Sequence, residues 1–119
     1  MTSMNQRLSE LKTALVAVSS KCYHYFAPSS AKAPYIVWNE DSEDSSLMVD
    51  GRKARQALSG YVEYYTRTEF DAKFDAIQEA LEGLEGLSWT WESTIYGDPT
   101  QSGSSTTDLI HHTWSWRMF

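Results

Sequence analysis

Residues 87–95, LSWTWESTI, alternate apolar and polar side chains, and residues 109–118, LIHHTWSWRM, repeat the alternation. Neighbouring side chains of a β-strand point to opposite faces of the sheet, so this pattern predicts two half-buried strands. The polar, turn-forming residues 97–108 between them predict an antiparallel hairpin. Across that hairpin the four tryptophans of the two strands are expected to meet. They are Trp89, Trp91, Trp114 and Trp116.

Two apolar stripes at spacings of three and four predict amphipathic helices. The first stripe, near the N-terminus, comprises Met4, Leu8, Leu11, Leu15, Val18 and Cys22. The second comprises Phe70, Phe74, Ile77, Leu81 and Leu84. Thr68 with Asp71 resembles a capping box at the start of the second helix, and Gly83 and Gly86 are typical of its end.

Between the helices the sequence predicts two strands. Residues 35–38, YIVW, follow Pro34 and form a short strand, whereas residues 39–46 carry four carboxylates and no cation, which predicts an exposed loop. Residues 47–49 predict a short edge piece before an Asp-Gly turn. Residues 56–67 alternate around Gly60 and predict a long strand, although residues 52–58 alone are also compatible with a helix.

The resulting order, α–β–β–α–β–β, predicts an α+β fold with a mostly antiparallel four-stranded sheet and both helices on one face. The 119 residues are enough for one domain, residues 1–119. No apolar run reaches the length needed to span a bilayer, so we expect a soluble, cytoplasmically made protein.

Charge and composition exclude several function classes. Sixteen acidic against ten basic residues give a net charge of −6, which argues against sequence-independent nucleic-acid binding. The single Cys22 excludes an internal disulfide and a multi-cysteine zinc site. No phosphate-binding glycine motif and no nucleophile elbow occur. We therefore expect no enzymatic activity and no cofactor.

The histidines do not predict a metal site either. His111 and His112 are neighbours in a predicted strand and should point to opposite faces of the sheet. No spacing brings His24 or Asp108 to them. The acidic run also lacks the alternating oxygen ligands and the central glycine of a calcium loop.

Charged residues are the strongest candidates for an interaction site. The acidic run is either a solvated loop or a docking surface. The basic cluster after it is either ordinary surface charge or the group that contacts the acidic run of a neighbouring copy. The tentative interaction residues are Glu40, Asp41, Glu43, Asp44, Arg52, Lys53 and Arg55.

An ordered set of segments resembles the tail-terminator (tail completion) proteins of long-tailed bacteriophages and prophages. These segments are PYIVW (34–38), the stretch 51–67 ending in YYTR, the helix 70–81, and LIHHTWSW (109–116). The resemblance covers most of the chain from Pro34 onward, whereas residues 39–46 and 97–108 are distinctive of this chain.

The resemblance implies a non-enzymatic virion protein that assembles in the host cytoplasm. Six copies would form a ring on the head-proximal end of the tail tube, stop tube growth and offer a surface to the head–tail connector protein. The implied partners are further copies of the chain, the tail tube protein and the connector, while genome DNA passes through the lumen without specific binding. Two alternatives remain: a neck protein on the head side, and a small-molecule-binding α+β domain with an aromatic pocket.

Overall fold

A five-stranded mixed sheet carries the fold in this computed structural model, which describes residues 3–97 and 109–119, except the side chains of residues 44–48 and 53–55. The elements in chain order are α1 (Met4–Val18), β1 (Cys22–His24), β2 (Tyr35–Val49), β3 (Arg52–Thr66), α2 (Ala72–Glu82), β4 (Leu87–Tyr96) and β5 (Ile110–Met118). The strands lie in the order β1-β2-β3-β5-β4, with β1 parallel to β2 and the other pairs antiparallel. The predicted α+β class is confirmed, and the sheet has one strand more than the four predicted.

The additional strand arises at the end of the first helix. Ser19 takes an extended conformation (φ −149°, ψ 127°) and ends α1 at Val18, and Cys22 then pairs with Ile36 in β1. The prediction that Cys22 belongs to the helical stripe was therefore wrong. Cys22 still packs against the core, as Val18 does. The two residues, four positions apart, therefore reach the core from different elements, Val18 from α1 and Cys22 from β1.

The acidic run is a strand and not the predicted loop. β2 continues through residues 39–49 and pairs with β3 as far as Val49 opposite Arg52. Three register irregularities interrupt the ladder, and such bulges increase the local twist. Beyond Leu58 the ribbon pairs with no further strand, and its described residues 49–52 are exposed. Its sequence shows no alternation of apolar and polar residues, so a search for period two does not detect it.

The second helix begins later than predicted. Asp71 is its N-cap and accepts a hydrogen bond from the backbone N–H of Lys73 at 2.9 Å. Phe70 lies outside the helix with φ 55° and 94% exposure. The predictions of Thr68 as the cap and of Phe70 in the buried stripe were therefore wrong. The predicted stop at Gly83, which is the C-cap, is confirmed.

One hydrophobic core lies between the helices and one face of the sheet. Both helices contribute their apolar stripes to this core. Strands β2, β3 and β5 contribute alternate residues, as predicted for β3 and β5. Trp89 lies opposite Trp116, and Trp91 opposite Trp114, which confirms the predicted pairing of tryptophans. The fully or almost fully buried core residues are Leu11, Leu15, Ile36, Trp38, Val62, Tyr64, Ile77, Leu81, Trp114, Trp116 and Met118.

The β2–β3 hairpin extends beyond the rest of the sheet. Pairing of β3 with β5 stops at Leu58 opposite Met118, and residues 44–57 continue as two strands alone, here called the arm. Six residues of β3 in this segment correspond to about 20 Å. The molecule measures 60 × 26 × 23 Å, and its radius of gyration is 16.0 Å; a compact domain of this length has about 13.5 Å.

Gly60 lies where the arm joins the body of the sheet. A Cβ there would lie 2.5 Å from the Trp116 side chain and would also overlap the carbonyl oxygen of Asn39. Only glycine therefore permits the close approach of β2 and β5 on either side of β3.

Of the helices in the described ranges, neither is long and apolar enough to cross a membrane.

Candidate interaction surfaces

The arm brings the acidic run and the basic cluster onto one hairpin. The acidic residues lie at its root and the basic residues in its outer half, where residues 47–49 pair with residues 52–55. The side chains of Asp44, Lys53 and Arg55 are outside the described part of the chain. Arg52 is exposed beside the Asp50-Gly51 turn, so the tip of the arm presents at least one accessible guanidinium.

At the root, Glu40 is engaged within its own chain. His24 Nε2 lies 2.7 Å from Glu40 Oε2, and the Tyr25 hydroxyl donates to Glu40 Oε1. The His24 ring is stacked between the rings of Tyr25 and Trp38, with centroids 3.8 Å and 3.9 Å away. Burial works to raise the pKa of Glu40, but the hydrogen bonds from Tyr25 and His24 outweigh it and hold the pKa below its usual range. Glu40 therefore stabilises the end of β1 and is not a free docking group.

The remaining acidic residues of the root differ in their surroundings. Asp41 and Glu43 are exposed, and Glu43 Oε2 accepts a hydrogen bond from Gln56 Nε2 at 2.9 Å across the hairpin. Ser42 and Ser59 join the two strands in the same region through hydroxyls 3.0 Å apart. Of the predicted acidic residues with described side chains, Asp41 is thus the one best placed to meet another molecule.

A second candidate surface lies at the opposite end of the molecule. The segment between β3 and α2, together with the adjoining ends of β4 and β5, borders a cleft of about 320 Å³. Two very exposed rings flank it: Phe70, 94% exposed, and Tyr96, 77% exposed. Three carboxylates line it as well, Glu69, Asp71 and Asp75, and no lysine or arginine occurs among its described lining residues.

Asp71 fixes the geometry of this cleft. Its Oδ2 accepts hydrogen bonds from the Tyr64 hydroxyl at 2.7 Å and from Thr66 Oγ1 at 2.6 Å. Partial burial works to raise the pKa of Asp71, but these bonds and the one from the Lys73 N–H keep it below the usual range. The carboxylate is therefore ionised and fully occupied by its own chain, which leaves Glu69 and Asp75 as the exposed anionic groups.

His112 forms the floor of the cleft as an uncharged ring. Its Nδ1 lies 2.8 Å from Thr94 Oγ1, and the edge of Phe74 packs against it with centroids 4.7 Å apart. Burial lowers the pKa of His112, the charge of Asp71 opposes this effect, and the net direction is downward. At neutral pH the cleft consequently holds negative but no positive charge among the residues that line it.

The sheet face opposite the helices carries a row of aromatic rings. Tyr35 stacks on Tyr65 with centroids 4.8 Å apart, and Tyr65 stacks on His111 at 4.2 Å. His111 also lies 3.3 Å from Glu63. His111 and His112 thus point to opposite faces, as predicted. Its rings are half-buried because they cover one another, and the row exposes ring edges on a flat surface.

Potential metal ligands are not clustered in the described ranges. No group of three or more His, Cys, Asp or Glu side chains is placed there to hold a metal ion. Burial raises the pKa of Cys22 to about 11, so its thiol is protonated at neutral pH and weakly reactive.

Pattern analysis of the sequence did not find the cleft. The spacing of apolar residues places Phe70 in the buried stripe of the helix, where it would not reach a surface cleft. One feature of the sequence hints at this site: Asp71 stands where a capping box normally has Glu or Gln. Asp71 is itself the N-cap, which leaves Phe70 outside the helix. In comparisons with known proteins, no family model and no curated protein matches the chain.

Proposed function

We propose that this protein is a structural component of a long-tailed bacteriophage that closes as a ring on the head-proximal end of the tail tube. The ring, with six copies as the resemblance implies, stops addition of tube subunits and forms the surface to which the head connector attaches. It acts without catalysis or a cofactor, and its location is the virion tail. The partners are copies of itself, the tail tube protein and the connector.

The observation that carries this proposal is the separation of different surfaces along an elongated subunit. The arm projects from one end, and an acidic, aromatic cleft lies at the other. A contact between two different patches repeats from copy to copy and closes into a ring when the rotation between copies permits it. The ordered resemblance of segments 34–38, 51–67, 70–81 and 109–116 to tail-terminator proteins supplies the biological setting.

The acidic balance of the chain is compatible with a channel for DNA. Carboxylates repel a phosphate backbone, whereas a basic lumen would retain it. We assign the exposed carboxylates at the arm root, such as Asp41, either to the lumen or to a neighbouring copy.

Electron microscopy of phage particles made with this reading frame disrupted tests the proposal. Filled heads beside unattached tails of uncontrolled length are expected. Tails of normal length with unjoined heads would instead assign the protein to the neck, and intact infectious particles would refute both roles.

A small-molecule-binding role has less support from the positions of the tryptophans. Trp114 is fully buried and Trp116 is 2% exposed, both within the hydrophobic core. Saturable quenching of tryptophan fluorescence by a small ligand is the result that would favour this role over the structural one.

A further inference from the structure

We infer that the cleft between Phe70 and Tyr96 is the docking site for the arm tip of a second copy of this chain, with Arg52 as the inserted side chain. The inference rests on the proposed ring and names the contact that would close it. The occupant is a guanidinium carried on a β-turn.

The chemistry of the cleft matches a cation with a flat, delocalised head. Two exposed aromatic rings can stack on a guanidinium, which attracts the faces of such rings. The carboxylates of Glu69 and Asp75 are exposed beside them and have no ion-pair partner among the described residues. A volume of about 320 Å³ accommodates an arginine side chain together with part of its turn.

The conformation of Phe70 points in the same direction. A non-glycine residue at φ 55° is uncommon, and this one exposes 94% of a phenyl ring to water. Asp71 fixes the following residue through hydrogen bonds to Tyr64 and Thr66, so the ring is held out from a rigid base. Such strain together with exposure is expected where a side chain serves a contact with another molecule.

The cleft cannot receive the arm of its own chain. Arg52 begins β3, and Thr66 at the end of β3 leads into the cleft, so fourteen residue steps, about 46 Å, separate them along one strand. Charge complementarity between the two ends can therefore be satisfied only between copies. The contact is head-to-tail, which is the type that builds rings.

Residues 98–108 do not offer a competing cation. They contain no lysine or arginine, and their one ionisable pair of side chains is Asp98 and Asp108. The basic residues nearest to Arg52 in the sequence are Lys53 and Arg55, which lie on the arm itself. The arm tip thus concentrates the charge that the cleft lacks.

Disulfide trapping between two single-substitution proteins tests the contact. One chain carries Val49→Cys, at an exposed position paired with Arg52, and the other, marked by a mass tag, carries Thr68→Cys at the border of the cleft. Arg52, Glu69 and Asp75 stay in place in both chains, which are mixed at high concentration with oxidised glutathione. Cys22 stays in both, since its thiol, with a pKa of about 11, exchanges slowly. We expect the mixed dimer to exceed each homodimer by about tenfold. A mixture of Val49→Cys with Glu10→Cys, an exposed site on α1, is the matched control.

A charge-swap series adds a readout that does not depend on cysteine. Arg52→Glu and Glu69→Arg should each lower self-association in sedimentation velocity, and the double variant should restore it. Phe70→Ala should weaken self-association roughly tenfold, while Phe26→Ala, which removes another exposed ring, should not.

Two kinds of result would overturn the inference. Mixed dimers at the statistical ratio, or no trapping at all, would show that tip and cleft do not meet. Loss of tail-tube attachment in Glu69→Arg with unchanged self-association would make the tube protein the occupant. If docking fails but disruption of the reading frame gives the expected tail defect, the proposed function stands. If docking occurs but phage without the protein stay infectious, only the proposed function is refuted.

Discussion

Phe70 is the residue at which local physical preferences and the folded structure disagree most. Its sequence position continues an apolar helical stripe, yet its backbone is in the left-handed region and its ring is in water. The conflict is resolved by Asp71, which caps α2 and accepts hydrogen bonds from two buried hydroxyls. The helix therefore begins at Ala72, two residues after Phe70, and does not bury its ring.

Replacing Phe70 by glycine should stabilise the isolated subunit. Glycine adopts φ 55° without steric cost, and no buried apolar area is lost, so we expect the free energy of unfolding to rise by up to about 1 kcal/mol. Urea denaturation followed by tryptophan fluorescence measures this change. Phe26→Gly is the control, because Phe26 is exposed but has no positive φ, and it should give no gain. A destabilised Phe70→Gly protein would contradict the assignment of strain.

Asp71→Ala should be strongly destabilising. It removes an N-cap, worth about 1 kcal/mol, and leaves the buried hydroxyls of Tyr64 and Thr66 without their acceptor, at about 1–3 kcal/mol each. We expect a total loss of at least about 3 kcal/mol. Glu79→Ala, an exposed change in the same helix, should alter stability by less than about 0.5 kcal/mol.

The Asp71→Ala difference should also depend on pH. The pKa of Asp71 is depressed in the folded state, so its contribution is present above the unfolded value, about 3.9, and is lost as the pH falls below it. Unfolding curves at pH 7 and pH 3 should therefore show a smaller difference between wild type and variant at pH 3. An equal difference at both values would contradict the role of the ionised carboxylate.

At the scale of elements, the arm is held by pairing between its own two strands. Beyond Leu58 neither β1 nor β5 supports it, and the described residues of its outer part are exposed. An isolated two-stranded ribbon is only marginally stable in water. Its persistence over many residues depends on the attachment at Gly60, where both neighbouring strands approach closely.

Shortening the arm should separate folding from assembly. If an Asn-Gly turn replaces residues 46–56, the pair of Ser45 and Ala57 closes a hairpin and the hydrophobic core keeps all its residues. We expect the free energy of unfolding to change by less than about 1 kcal/mol and self-association to be lost. Thermal unfolding and sedimentation velocity measure the two effects. Arg52→Gln in a full-length arm is the control: it removes the charge of the tip but keeps the length of the arm, so it shows which of the two self-association depends on.

At the scale of the whole molecule, opposite charges lie at distant ends of a 60 Å body. Association through such ends is expected to weaken with salt, because the Debye length falls from about 10 Å at 0.1 M to about 3 Å at 1 M. In the proposed ring, the row of stacked rings on the open sheet face and the edge strand β4 would be further surfaces for contacts between copies.

Charge reversal at the arm root tests the remaining acidic residues. Replacing Glu40, Asp41, Glu43 and Asp44 by lysine should impair ring formation or the passage of DNA, as measured by sedimentation and by infectivity. Because Glu40 also pairs with His24, Glu40→Gln alone shows how much of the effect is lost subunit stability. Unchanged assembly and infectivity would refute a role for the root in either process.

The sequence by itself determined the α+β class, the two helices, and the faces of β3 and β5. These follow from periodicity, because burial on one side repeats every two or about 3.6 residues. It could not predict the arm, whose residues do not alternate between apolar and polar in the sequence. It could not predict β1 either, whose three residues pair only because β2 lies beside them. The cleft likewise required the tertiary structure. Its carboxylates and rings come from three segments, and the hydrogen bonds of Asp71 to β3 decide where α2 begins.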